Sequence, residues 1–215
     1  MTQIDTRSPV IAIEGAIGAG KTTLCRYIRR NLDALVIDEA ESALLTEYIE
    51  TPGRWSFAVQ VDLLIKRCAA LRVAHQKAKR RERPIFLDRS IVGDRAFARA
   101  NWRQNRMNAA EYAVWCDLYD ELMQYTAPPD IVVYLDVSVE KALQRSIQRD
   151  QWTREREYVL ELSRTHDEAL EDLKSHGAYI MRANWNEDLE GGAYGVAVDW
   201  LISKLMREYN GVLIP

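Results

Sequence analysis

VIAIEGAIGAGKTT, residues 10–23, decides the fold. A short apolar run ending at Glu14 passes straight into G-x-x-x-x-G-K-[ST], here Gly15, Gly20, Lys21 and Thr22. A helical period follows at once, with Leu24, Tyr27, Ile28 and Leu32 on one face. Strand, glycine loop and helix in that order are the context in which this motif binds phosphate. Its glycines let backbone N–H groups turn inward around an anion, at the positive end of the following helix. Gly15, Ala16, Gly18, Ala19, Gly20, Lys21, Thr22 and Thr23 are therefore the expected nucleotide-binding set. Within it, Lys21 reaches the transferring phosphoryl group and the Thr22 hydroxyl ligates Mg²⁺. ATP or a relative is the expected donor.

Outward from this unit, short apolar runs alternate with 3.6-periodic segments, the pattern of βα units around a parallel sheet. Strands are expected at 10–14, 34–38, 84–88, 130–136 and 178–182. Helices are expected at 20–32, 40–50, 54–82, 90–101, 108–125, 139–149, 155–174 and 190–208. Pro128 and Pro129 stop the fifth helix, and Ser138 offers an N-cap to the sixth. A chain of 215 residues, 47% hydrophobic and 28% charged, suits one α/β domain over its whole length.

Composition excludes several classes. A formal net charge of -3 argues against generic nucleic-acid binding. The basic run KAKRRERP at 77–84 closes the long helix, where cations complement the dipole, and reads as a solvated helix end. Cys25, Cys68 and Cys116 lack ligand spacing and read as reduced thiols. His75, His166 and His176 show no metal spacing. The start MTQIDTRSP has no apolar signal region, and no run approaches the ~20 apolar residues of a membrane span. A cytoplasmic enzyme is expected, with neither nucleic acid nor membrane as partner.

The acceptor is read from the ends of the next strands, because ligands of open α/β sheets gather outside the carboxyl ends. The second strand ends in VIDEAES, which puts Glu39 beside the P-loop. A neutral hydroxyl needs a general base as it attacks, whereas an ionised phosphate needs none. Asp38, Glu39 and Glu41 would also repel a dianion, so the cluster favours an alcohol, unless these acids only complement a helix start. The third strand ends in PIFLDRSIVGDR: Asp88 can hold Mg²⁺ directly or through water, and Arg89 can face the phosphates, unless the two form a structural ion pair. In GRWSFAVQVDLLIKR, residues 53–67, Gln60 and Arg67 are seven apart. On a helix they share one face about 10.5 Å from each other. That face is either a solvated stripe or an edge that reads a flat polar ligand.

GAIGAGKTT, the acid after strand two, PGRWSFAVQ, LDRSIVGDR, an arginine-bearing segment near 145–156, and NWNEDL at 184–189 stand in the order seen in deoxynucleoside kinases. Over roughly residues 8–190 the chain resembles the group of deoxycytidine, deoxyguanosine and bacterial deoxyadenosine kinases. The resemblance implies a P-loop NTPase fold with a five-stranded parallel sheet and an arginine-bearing lid at about 145–157. It also implies transfer of the ATP γ-phosphoryl group to a deoxynucleoside 5′-hydroxyl. Carried over by position, Glu39 is the base, Gln60 the bidentate partner of the nucleobase, and Arg89 a contact to the 5′-oxygen and phosphates. Arg67 and Asp94 match the base-side pair of members that take deoxypurines or deoxycytidine. Asp62 is expected to be a solvated or interface charge. Arg145, Arg149, Asn186, Glu187 and Asp188 fall on the donor side.

Departures from the pattern are specific. The tyrosine expected at Ile49 is displaced to Tyr48, about 100° around a helix. Aromatics expected against the base fall at Val59 and Ala98, leaving Trp55, Phe57 or Phe97 as substitutes. In the lid, RSIQRDQWTREREY, Gln151 interrupts the usual R-x-R; Arg154 or Arg156 replaces it unless each is a salt-bridged helix start, and Glu157 is expected at the sugar. Two rivals are a nucleoside monophosphate kinase, such as a thymidylate kinase, and a non-catalytic interaction subunit. The first needs arginines where this chain has DEAE; the second would be free to lose Lys21, Thr22, Glu39 and Arg89. No N-K-x-D motif supports a GTPase. Helices at 54–82 and 108–125 have apolar faces large enough for a homodimer, although a single core would use the same faces.

Overall fold

A computed structural model describes residues 7–80, 83–150, 155–175, 178–188 and 191–213, without the side chains of 149, 150, 175, 191 and 208–213. Its five strands are β1 (Val10–Glu14), β2 (Leu35–Ile37), β3 (Ile85–Asp88), β4 (Ile131–Asp136) and β5 (Tyr179–Asn184). They form one parallel sheet in the order β2-β3-β1-β4-β5. The helices are α1 (Lys21–Asn31), α2 (Leu45–Glu50), α3 (Pro52–Ala78), α4 (Ile91–Arg103), α5 (Ala109–Gln124), α6 (Val139–Asp150), α7 (Arg156–Ser175) and α8 (Gly191–Leu213).

β1 and β3 are buried at every position, as helices on both faces of a parallel sheet require. Alternation along the strands divides the core. Ile11, Ile13, Ile131 and Val133 face α1 and α8 with Leu24, Ile28, Val198 and Leu201. Val10 and Ala12 lie on the opposite face, where α3, α4, α5 and α7 pack. The carboxyl ends of β1, β2 and β3 therefore open onto the same edge.

Local signals explain most boundaries. Pro52 sits at the first turn of α3, where a missing N–H costs nothing. Ser138 Oγ accepts from the Lys141 N–H at 3.2 Å to cap α6. Asn108 and Glu111 cap α5 reciprocally. Three boundaries differ from expectation by four residues or more. α2 begins at Leu45 rather than near 40, so residues 38–44 form a loop, and Asp38, Glu39 and Glu41 are not helix-start residues. α8 extends to Leu213, past the expected end at 208. The long helix ends at Ala78, so the basic run lies mostly beyond it.

Candidate active site

The site grows from the loops that follow β1 and β2, which flank β3, and from the end of β3 between them. In the first, Gly15 and Gly18 adopt φ 149° and 80°. A side chain at Gly18 would place its Cβ 2.2 Å from the Ala142 carbonyl oxygen, so the loop closes against α6 only with glycine there. Lys21 is buried, and its Nζ donates to the carbonyls of Gly15 (3.0 Å) and Ala16 (2.8 Å). Burial, then the Arg89 charge, lowers its pKa to about 7. The Thr22 hydroxyl is hydrogen-bonded to Asp88, whose pKa is raised by burial. Asp88 Oδ1 is buried without a hydrogen-bond partner. A hydroxyl beside a carboxylate with one unused oxygen fits Mg²⁺, which takes few protein ligands and completes its shell with water and phosphate.

The second loop carries Glu39. Lys66 Nζ donates to the Glu41 carbonyl and to Asp62, both at 2.8 Å, and so ties this loop to α3. Asp62 pairs with Lys66 on the surface of α3, as a solvated charge. Asp38 also lines the cleft, is exposed, and pairs with Arg29 at 2.5 Å. Glu39 Oε1 lies 2.6 Å from Arg89 Nε and 3.1 Å from an Arg67 terminal nitrogen. Partial burial raises the Glu39 pKa, but the charges of Arg89, Arg67 and Lys21 outweigh it and hold the group below the usual carboxylate range.

Arg89 stands at φ 71°, donates to the Gly15 carbonyl (3.3 Å), and lies 5.0 Å over the Phe97 ring. The other terminal nitrogen of Arg67 pairs with Asp94, which is fully buried. Burial drives the Asp94 pKa up, to about 7, against the opposing pull of Arg67. Gln60 is 2% exposed, and its Oε1 has no hydrogen-bond partner.

Both loops open into one cleft of about 1380 Å³, lined by Gly18, Gly20, Lys21, Thr22, Thr23, Glu39, Gln60, Arg67, Asp88 and Arg89 among others. Tyr48 lines it as well; its hydroxyl meets Asn101 Oδ1 (3.0 Å) and the Tyr158 hydroxyl (3.1 Å). Of the aromatic substitutes, Phe97 lines the cleft. Phe57 packs on the core under α3, and Trp55 pairs with Arg54 instead. Trp55 is not among the residues lining the cleft. Glu157 is exposed and does not join the lining, whereas Glu155 does, bonded to Arg106 at 2.6 Å. Arg106 also stacks 4.0 Å over the Tyr158 ring.

At the other end of the cleft lining, Arg145 donates to the carbonyls of Trp185 and Glu187 (both 2.9 Å) and to Asp188. Glu187 and Asp188 line the cleft. Asn186 instead turns its Oδ1 to the Ser138 N–H at 2.8 Å and anchors the loop to α6. Arg156 pairs with Glu140 on the surface at 2.8 Å, a salt-bridged helix start. The Arg149 side chain and the whole of Arg154 lie outside the described residues, as does His176. Sequence reading missed Arg106, Glu155, Tyr158, Trp185 and Tyr194 in the lining. Trp185 lay inside the quoted NWNEDL run and Glu155 two residues before Glu157. Arg106, in the turn between α4 and α5, carries no local signal.

The strand order and the glycine loop define a P-loop NTPase fold. The profile described as deoxynucleoside kinase matches residues 11–193, and the chain belongs to that family. It is similar to deoxyadenosine kinase of Dictyostelium discoideum, 28% identical over 207 residues, covering 93% of this chain and 82% of that one. A probable thymidylate kinase of Saccharolobus solfataricus is 28% identical over 189 residues, covering 84% and 93%. The structure of deoxyadenosine kinase from M. mycoides with bound dATP shares the fold, with a TM-score of 0.75 at 24% identity, covering 92% of this chain and 98% of that one. No described helix is long and apolar enough to cross a membrane.

Proposed function

We propose that this enzyme transfers the γ-phosphoryl group of Mg-ATP to the 5′-hydroxyl of a deoxynucleoside carrying a purine or cytosine base. The observation that carries this reading is Glu39, a carboxylate held by Arg67 and by the Arg89 that also bonds the Gly15 carbonyl of the P-loop. Lys21 and Arg89 neutralise charge on the transferring group, and Thr22 and Asp88 would hold Mg²⁺, which would supply further positive charge for the phosphates. Glu39 takes the hydroxyl proton. Gln60 offers an amide with a free oxygen at the base edge, and the Arg67–Asp94 pair beside it disfavours thymine. Tyr48, with Glu155 in place of Glu157, faces the sugar. Arg145, Glu187 and Asp188 border the donor in a single domain whose lid spans about 145–157. Phe97 supports Arg89 from beneath, its ring centroid 5.0 Å from the guanidinium carbon.

Similarity to a thymidylate kinase favours a monophosphate acceptor as the second reading. Glu39 opposes it, because a dianion in contact with this carboxylate would meet like charge although two arginines hold it. Phosphorylation rates across the four deoxynucleosides and their monophosphates decide between the readings: faster use of any monophosphate would overturn the first.

We also propose a homodimer in the cytoplasm. α3 and α5 bury one face each in the core, yet Ile65, Val73 and Val114 remain 50%, 43% and 55% exposed. Cys25, Cys68 and Cys116 are free thiols, in keeping with a reducing compartment. Sedimentation equilibrium of the wild type and of an Ile65→Lys, Val114→Lys variant tests the dimer; an unchanged monomer mass in both would end it.

A further inference from the structure

Glu14 closes β1 immediately before the first P-loop glycine, and it is fully buried. A buried carboxylate is costly unless donors meet it. Here one oxygen, Oε1, accepts from the Ser90 N–H (2.7 Å), the Ser90 hydroxyl (2.8 Å) and the Gly93 N–H (3.3 Å). All three donors belong to the turn after β3 and the first turn of α4, where backbone N–H groups have no partner within the helix and the dipole favours an anion. Alternation along β1 sends Glu14 to the face of Val10 and Ala12, toward α4. The other oxygen occupies space that only glycine leaves open: a Cβ at Gly93 would come within 2.7 Å of Oε2.

The residue held between these contacts and the sheet is Arg89. Its own N–H donates to the Ile13 carbonyl at 3.1 Å, and the next N–H along the chain goes to Glu14. Both grips come from β1, and between them Arg89 takes φ 71°, a conformation that a side-chain-bearing residue keeps only when its surroundings impose it. In that conformation its guanidinium reaches Glu39 and the Gly15 carbonyl.

We infer that Glu14 is a positioning residue for phosphoryl transfer: its carboxylate locks the Asp88–Arg89–Ser90 turn so that Arg89 is held over the reacting oxygens. This rests on the proposed role of Arg89. Glu14 touches no substrate; its reach matters more than its charge. Glu14→Asp keeps the charge but is one methylene too short for Ser90, whereas Glu14→Gln keeps the accepting oxygen and drops the charge.

Steady-state kinetics of the full chain, with thermal unfolding in parallel, test the inference. Glu14→Asp is expected to lower kcat by about 30-fold with the KM for ATP within about twofold, while Glu14→Gln stays within about threefold of wild type. In an Arg89→Ala background, Glu14→Asp should cost less than about twofold more, because the group through which it acts is gone. If the Glu14 variants do not fold, Ser90→Ala is read through the same cycle, with an expected loss of about fivefold that vanishes beside Arg89→Ala. A Glu14→Asp enzyme more active than Glu14→Gln would show that charge, not reach, is the contribution and would overturn the inference. Losses that multiply in the Arg89→Ala background would do the same, with the role of Arg89 left standing. An Arg89→Ala enzyme with undiminished turnover would instead remove that role, and this inference with it.

Discussion

The two walls of the cleft are both built from ion pairs, yet they are built differently. On the acceptor side Arg67 is 5% exposed and Asp94 fully buried, and both arginines converge on Glu39. On the donor side Arg145 is 18% and Asp188 54% exposed, and two of the Arg145 contacts are to backbone carbonyls. Removing one partner of a buried pair strands a charge at a cost of about 3–5 kcal/mol, whereas exposed pairs are screened and contribute little. If the proposed roles hold, the acceptor wall places its base-reading and proton-accepting groups in pairs built on buried arginines. The donor wall is a loop pinned by one arginine, suited to a ligand whose phosphates are already gripped by the P-loop.

The largest expected effect falls where the walls meet. Lys21→Ala should lower turnover by about 10³-fold, since its charge faces the transferring group from a buried position. Circular dichroism and thermal unfolding should show the fold retained; undiminished ATP-dependent turnover would break the assignment of the P-loop.

Next comes the base. Glu39→Gln preserves size and hydrogen bonding but cannot take a proton, so kcat should fall by about 10²-fold or more with a modest change in nucleoside KM. If KM alone rises, Glu39 only positions the substrate. The pH profile sharpens this. Arg89, Arg67 and Lys21 favour the ionised form and hold Glu39 below the usual carboxylate range, so the acid limb due to Glu39 should lie below pH 4.5, its ordinary value. Activity is present above the limb and lost as pH falls through it.

The buried pair gives a smaller but more selective effect. Wild type should prefer deoxyadenosine, deoxyguanosine or deoxycytidine to thymidine by about tenfold or more, from one or two polar groups left unpaired. Arg67→Met with Asp94→Ala should raise relative thymidine use and, by removing one of the two arginines on Glu39, move the acid limb upward. Either change alone leaves a buried charge unpaired and should lower stability and all activity together. An unchanged substrate ranking and acid limb in the double variant would mean that the pair is structural.

The donor wall should yield least. Arg145→Met is expected to raise the KM for ATP by about three- to tenfold and leave kcat within about twofold, the mark of binding shared by ground and transition states. A collapse of kcat instead would mean that Arg145 leaves its loop to meet the transferring group, and the contrast between the walls would fail.

The legible parts of this site are those where local pattern and chemistry coincide. Residues 10–23 carried strand, loop, helix and donor chemistry in one stretch, because a P-loop is built from consecutive residues whose backbone does the binding. Gln60 and Arg67 could be placed on one helix face by spacing alone. The start of α2 could not: residues 40–44 are compatible with a helix, but Lys66 of α3 holds Glu41 in a loop. Tyr48 and Ile49 both reach the cleft, since a six-residue helix is oriented by what it packs against rather than by its own period.

The sequence by itself determined the order of strands and helices, the phosphate loop and the types of side chain at each strand end, because these follow from periodicity and from bonds between near neighbours. Only the tertiary structure decided which distant polar groups meet. Lys66 meets the Glu41 carbonyl, Asn186 meets Ser138, Glu155 rather than Glu157 enters the cleft, and Glu14 takes hold of Ser90 at the end of the neighbouring strand. The bonded partners lie between 25 and 76 residues apart along the chain. A long charged side chain has many sterically allowed partners, and burial and sheet register select among them.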